Sequence, residues 1–158
     1  MEEGTRERGN EGTEKAWCCI KKTLWAHSRQ LDLSNDAVRE VRCVEASHEL
    51  ALAIYRSTEA WPVTERYGVT AQTRRAALSV PTNIAEGSAK LGPREFRRYL
   101  DISLGSLSEI SYLLRFSSDM GFLASEEWQR LDLMRNRTGR LVWGLYKWVQ
   151  QKAKVPGR

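Results

Sequence analysis

The sequence predicts an all-α protein: an antiparallel up-down-up-down four-helix bundle over residues 38–152, with a disordered or loosely attached N-terminal extension (1–37) and a C-terminal tail (153–158). Three observations predict it. Apolar residues recur every three to four positions in four successive segments, no segment alternates with a period of two over a useful length, and the connections are short enough to turn each helix back on its neighbour.

Before residue 38 no periodicity is sustained. Met1 to Lys15 mixes Gly and Thr breakers with alternating charge, the pattern of a disordered tail, and Trp17 to His27 allows at most a short appended helix. From Val38 a stripe of Val41, Val44, His48, Ala51, Leu52 and Tyr55 marks the first helix, which ends near Ala60 to Pro62. Thr64 is the expected cap of the second helix, whose apolar face is built from Val69, Thr73, Ala76, Ala77, Val80, Ile84 and Gly87. Pro81 therefore falls inside that helix. Gly92 stops it and Pro93 starts the third, at the position where a missing N–H costs nothing. Phe96, Leu100, Ser103, Leu107, Ile110 and Leu114 line the third helix's buried side, opposite Arg94, Arg98, Asp101, Ser108 and Arg115, and Gly121 closes it. Ser125 is the expected cap of the fourth helix, with Glu126 and Glu127 suiting the dipole of its first turn. Its stripe is Leu131, Met134, Thr138, Leu141, Val142, Leu145 and Val149.

A chain of 158 residues with 41% hydrophobic content supports one core and is short for two. Lys and Arg outnumber Asp and Glu by 25 to 20, a net +5. Acids and bases balance over residues 1–39, so the excess belongs to Glu40 onward and is a modest pull toward polyanions. Cys18, Cys19 and Cys43 are odd in number and spaced for neither a disulfide framework nor a zinc knuckle, which suits reduced thiols and a cytoplasmic location. No apolar run approaches the roughly 20 residues of a membrane-spanning helix, and the charged, Gly-rich start lacks the apolar core of a signal peptide.

The stretch "SVPTNIAEGSAK", Ser79 to Lys90, carries the one concentration of unusual polar residues. A proline within a helix leaves a carbonyl one turn earlier without its N–H, and Asn83 or a nearby hydroxyl is suited to satisfy a loosened backbone group. Pro81, Asn83, Glu86 and Gly87 thus read as a structural motif, with Gly87 admitting a close helix neighbour. A hydrolase built on Asn83 and Glu86 lacks a nucleophile and base pair, because His27 and His48 are the two histidines and neither sits in a triad context. Metal spacing and the ExxH pairs of carboxylate-bridged metal bundles are missing too, so the expectation is no enzyme, no cofactor and no metal.

The basic residues say more. Arg74 and Arg75 lie in "TRRAAL", and Lys90, Arg94, Arg97 and Arg98 surround the turn before the third helix, whose N-terminus adds partial positive charge. These six are the candidate nucleic-acid contacts, with Glu95 and Asp101 partly neutralising them. A second set, Arg130, Arg137, Arg140 and Lys147, lies on the outer side of the fourth helix beside Trp143. An outward Trp among cations is the candidate oligomer interface.

"HELA" at His48 to Ala51, "ERYG", "RRAALSVPTNIAEG", "EFRRYL" and "GSLSE" at Gly105 to Glu109 carry a resemblance over roughly Val41 to Gln151. The chain resembles the bacterial four helix bundle proteins first encoded in intervening sequences of 23S ribosomal RNA genes, sometimes labelled ribosomal proteins. It departs from them in having Val44 where the family usually has Trp, and in starting well before Val38. The resemblance implies a homo-oligomer, commonly a pentamer, without known enzymatic activity. It also implies a similar architecture to the basic pentameric accessory protein of diversity-generating retroelements, which works with a reverse transcriptase and nucleic acid. Two functions follow as expectations: weak RNA or DNA binding, or a protein partner for which the chain serves as adaptor.

Overall fold

The computed structural model describes residues 36–154. The N-terminal segment to Asn35, with Cys18, Cys19, His27 and the short helix expected at Trp17 to His27, lies outside the described residues, as does the tail from Val155. Four helices follow one another: α1 Asp36–Ser57, α2 Val69–Ser88, α3 Pro93–Asp119 and α4 Ser125–Lys154. The described residues hold no strand. Each helix packs on its neighbour in sequence and α1 also packs on α4, which closes the four into a bundle around one core.

The expected faces of α2, α3 and α4 coincide with the buried ones. Ala76, Ala77, Val80, Ile84, Leu100, Leu107, Ile110, Leu114, Leu131, Val142, Leu145 and Val149 are all core residues. In α1 the buried arc is rotated from the expected stripe. It is centred on Cys43, Ser47, Leu50 and Ile54, while His48 and Tyr55 are half-buried and Leu52 is 39% exposed. Ser47 reads as polar in sequence, but its hydroxyl donates to the Cys43 carbonyl (2.7 Å) or the Val44 carbonyl (3.0 Å), so it enters the core already paired. Burial also pushes the Cys43 thiol up to about 12, with the nearby Glu40 charge adding to the rise, so this thiol stays protonated.

Neither expected Thr64 nor Ser125 cap forms. Thr64 lies in a 3₁₀ turn, Val63–Glu65, and α2 starts behind Gly68, where the Glu65 carboxylate accepts the Val69 N–H at 3.3 Å. Ser125 is the first residue of α4 rather than its cap, and the Ala124 carbonyl accepts the first helical bond from Trp128 at 2.9 Å. The turn signals of glycine do hold. Gly92 has φ +98° ahead of Pro93, and Gly121 has φ +75° after α3, where Phe122 N–H bonds back to the Ser117 carbonyl at 2.8 Å. Trp61, buried between the two 3₁₀ turns, meets Phe122 with ring centroids 6.5 Å apart, so the α1–α2 and α3–α4 connections close the same end of the bundle.

The tightest approach is between α2 and α3. A Cβ placed on Gly87 would lie 2.6 Å from Tyr99 Cβ and 2.9 Å from Phe96 Cδ2, distances at which something must move. Ser103 and Ser106 on α3 face the proline turn of α2. Ser103 Oγ lies 3.2 Å from the Val80 carbonyl, and Ser106 Oγ donates to Ser79 Oγ at 2.8 Å. Gly87→Leu is therefore expected to lower stability by roughly 1–3 kcal/mol through overpacking, read as an earlier midpoint in thermal or urea unfolding. An unchanged midpoint would contradict the close approach.

Candidate functional site

Around Pro81 the side chains bond carbonyls beside the orphan rather than the orphan itself. Pro81 has no N–H to offer the carbonyl of Ala77, the residue four positions earlier. Thr82 Oγ1 donates to the Leu78 carbonyl at 2.7 Å, and Asn83 Nδ2 donates to the Ser79 carbonyl at 2.7 Å and to Ser79 Oγ at 3.0 Å. With Ser103 on Val80, three successive carbonyls of the proline turn have a side-chain hydroxyl or amide within hydrogen-bonding distance. The unusual residues of this stretch thus serve packing: Pro81 loosens the turn, Asn83 re-ties it, and Gly87 seats Tyr99.

Glu86 is exposed and accepts from Tyr99 OH at 2.9 Å, while Lys90 Nζ stands 3.5 Å from the same carboxylate oxygen and 5.6 Å from the Tyr99 ring centroid. The Tyr99 hydroxyl and then the Glu86 carboxylate raise the Lys90 ammonium above its ordinary value. Glu86 and Lys90 therefore join the end of α2 to the start of α3.

The six basic residues singled out in sequence do not form one patch. Arg74 and Arg75 sit in the second turn of α2, and Lys90 lies past its far end, sixteen positions or about 24 Å along the axis from Arg74. Arg74 serves the fold: Nε donates to Thr58 Oγ1 (2.8 Å), Nη2 to the Tyr55 carbonyl (3.5 Å), and the guanidinium lies 5.0 Å from the Tyr55 ring centroid. Arg75 donates to Gln72, which itself donates to Glu109 on α3. Arg98 is 3.9 Å from Glu95. Arg94 and Arg97 make no ion pair among the described residues, and they stand at the N-terminus of α3.

On the outer side of α4, Arg130 makes a bidentate pair with Glu127 at 2.7 and 2.8 Å, which lowers the Glu127 carboxyl and raises the guanidinium. Trp143 is 47% exposed, stacks on Tyr146 with centroids 5.2 Å apart, and carries Lys147 Nζ at 5.4 Å from its ring centroid. Beside it runs a groove of about 270 Å³ between α1 and α4, lined by Arg39, Arg42 and Arg140 with Leu141 and Gly144. None of these three arginines makes an ion pair among the described residues. The sequence pattern placed Arg140 outward but did not join it to its two companions. Arg39 and Arg42 are three apart on one face of α1, which was a legible signal, yet only the pairing of α1 with α4 brings them to Arg140.

Comparison with known proteins gives a family match over residues 39–144, to the 23S rRNA-intervening sequence protein family. The chain belongs to that family. A crystal structure from Bacteroides thetaiotaomicron VPI-5482, described as a protein with unknown function from the S23 ribosomal protein family, is similar in fold. It has a TM-score of 0.64 and 18% identity, covering 69% of this chain and 98% of its own. No curated protein matches the chain. The family's description names no enzymatic activity, and the neighbour's own description is of unknown function. Among the described residues no group of three or more His, Cys, Asp or Glu is placed to hold a metal ion, and no helix is long and apolar enough to cross a membrane.

The division of labour among the arginines is testable by stability alone. Arg94→Ala with Arg97→Ala is expected to shift unfolding by less than about 0.5 kcal/mol, because neither side chain pairs with the fold. Arg74→Ala is expected to cost about 1–3 kcal/mol by removing the Nε donor to the buried Thr58 Oγ1 and the guanidinium beside the Tyr55 ring, the Tyr55 carbonyl keeping the Thr58 hydroxyl as a donor. Equal effects in urea unfolding would contradict the assignment.

Proposed function

We propose that this chain is a non-catalytic, oligomeric bundle that binds the phosphate backbone of RNA or DNA weakly, through arginines that the fold leaves unpaired. The observation that carries this reading is the α1–α4 groove, where Arg39, Arg42 and Arg140 converge with no acid in the lining. Arg94 and Arg97 add a second cationic point at the start of α3, where the helix dipole also favours phosphate. Free guanidinium groups suit phosphate because their planar forks donate in pairs.

A bundle of this size offers each strand little surface, so copies in an assembly are what turns weak sites into useful affinity. Trp143 is the proposed interface residue, since a half-exposed indole stacked on Tyr146 is already held in one orientation for a partner. The family resemblance favours a pentamer. A protein partner is the second reading, favoured by Leu91 and Tyr67, which are 98% and 89% exposed on the connections flanking α2.

Fluorescence anisotropy with labelled RNA and DNA at two or more salt concentrations tests the binding. Affinity is expected to fall steeply with salt, and Arg39→Ala/Arg42→Ala/Arg140→Ala to flatten the logarithmic slope by roughly 0.9 for each duplex phosphate that the variant no longer neutralises. Absence of binding at low salt would overturn the nucleic-acid reading. Light scattering on the same samples is expected to show an oligomer that Trp143→Glu reduces with helicity intact, and a wild-type monomer at micromolar concentration would overturn the assembly.

A further inference from the structure

At the opposite end of α2 from Lys90, the two 3₁₀ turns Thr58–Ala60 and Val63–Glu65 border a cavity of about 250 Å³ that the basic surface does not use. Its lining includes Thr58, Trp61, Arg66, Thr70 and Arg74, with Glu59 as its one acid. Trp61 and Thr70 are each 6% exposed. Among the described residues, two buried side-chain polar atoms have no hydrogen-bond partner, Trp61 Nε1 and Thr70 Oγ1, and both belong to this one lining. Buried polar groups are paired in nearly all folded proteins, so two orphans among the residues of one lining point to a partner outside the described residues.

The chemistry of the lining says what that partner is. An indole N–H and a guanidinium can only donate, and a threonine hydroxyl donates as readily as it accepts. Arg74 is held in place by Thr58 and the Tyr55 carbonyl through Nε and Nη2, which leaves Nη1 without a partner among the described residues. Arg66 is exposed and makes no ion pair among the described residues. Thr70 is the second residue of α2, so the positive end of that helix's dipole adds to the two guanidinium charges, which outweigh the one carboxylate of Glu59. A donor-rich, cationic cavity takes a group with several acceptor oxygens and negative charge.

We propose that this cavity is an oxyanion site that takes a phosphoryl group, with Trp61 Nε1, Thr70 Oγ1 and the guanidinium groups of Arg74 and Arg66 as donors. It stands apart from the polyanion surface: the α1–α4 groove and the start of α3 share no residue with it. The phosphoryl group has two sources, free inorganic phosphate or the terminal phosphate of a nucleic-acid strand.

The indole N–H resonances of the full chain, followed by two-dimensional NMR during titration with inorganic phosphate at constant ionic strength, test the site. One indole N–H is expected to shift saturably with phosphate and not with chloride, and to vanish in Trp61→Phe, which keeps an aromatic ring in the core and removes the donor. Thr70→Val, close to isosteric, is expected to weaken the titration roughly tenfold, the worth of one hydrogen bond to an ion. Should Trp61→Phe fail to fold, the wild-type titration and Thr70→Val still decide the matter. Phosphate that moves no indole N–H beyond the chloride control overturns the proposal, as does a moving resonance that survives in Trp61→Phe. The same holds for a Trp61 N–H that shows exchange with an ordered water and ignores phosphate, which would make the orphans a hydration site. A short oligonucleotide with a 5′-phosphate, compared with its 5′-hydroxyl counterpart, separates the sources. Movement by the phosphorylated strand alone supports a strand end, and movement by inorganic phosphate without either strand supports the free ion.

Discussion

The close approach of α2 to α3 is the constraint on which the other features depend. Ala76, Ala77 and Gly87 on one helix and Ser103 and Ser106 on the other leave room for the backbones to meet, and a proline in the same stretch makes hydrogen bonding across the seam worthwhile. Pro81 removes a donor from the helix, and the turn before it is then contacted by Thr82 and Asn83 from its own helix and by Ser103 from the neighbour. The proline turn and the seam are one device. Because Gly87 accepts Tyr99 at its surface, the start of α3 is pinned against the end of α2, and the Tyr99, Glu86 and Lys90 contacts follow from that placement.

The charges sort by their nearest partners, most of them on the same helix. Lys90 is taken up by Glu86 and Tyr99, Arg74 by Thr58 and Tyr55, Arg75 by Gln72, Arg130 by Glu127 and Arg135 by Asp132. A cation already paired to a carboxylate has little left to offer a phosphate, since breaking its pair offsets what the new contact contributes, whereas Arg74, held only by neutral oxygens, keeps Nη1. The described arginines without an ion pair include Arg94 and Arg97 at one corner, Arg39, Arg42 and Arg140 in the α1–α4 groove, and Arg66 beside the Thr70 cavity. A net charge spread over the surface says little about function, whereas unpaired guanidinium groups sharing one groove have a stated partner chemistry. Membership in the 23S rRNA-intervening sequence protein family describes where such proteins are encoded and leaves this charge distribution as the physical lead.

Much of this was legible in the sequence wherever one residue's behaviour depends on its own helix. The stripes of α2, α3 and α4 were legible because each presents one dominant apolar face, and Gly92, Pro93 and Gly121 mark their turns by backbone conformation alone. The face of α1 was displaced because its centre holds Cys43 and Ser47, and nothing local shows that Ser47 will satisfy its own hydroxyl. Thr64 and Ser125 failed as caps because the helices start elsewhere: Thr64 lies in the turn before Gly68, where Glu65 accepts the Val69 N–H, and Ser125 is already inside α4. Features made by two distant segments were out of reach. The Trp61 and Phe122 contact joins two loops, the cavity at Thr70 joins two 3₁₀ turns to α2, and Arg42 meets Arg140 through the register of the first helix on the last.

If the α2–α3 seam organises the bundle, it should be the last part to open. Native-state hydrogen exchange, followed residue by residue in the full chain, measures this directly. The account predicts that the amides of Thr82, Asn83 and Ile84 in α2, and of Ser103, Ser106 and Leu107 in α3, exchange only through global unfolding. The amides of α1 and α4 near Leu50 and Leu145 should open with them or earlier. Exchange of the seam through a lower-energy opening, while the α1 and α4 amides stay protected, would contradict it and move the centre of the structure to the α1–α4 pair.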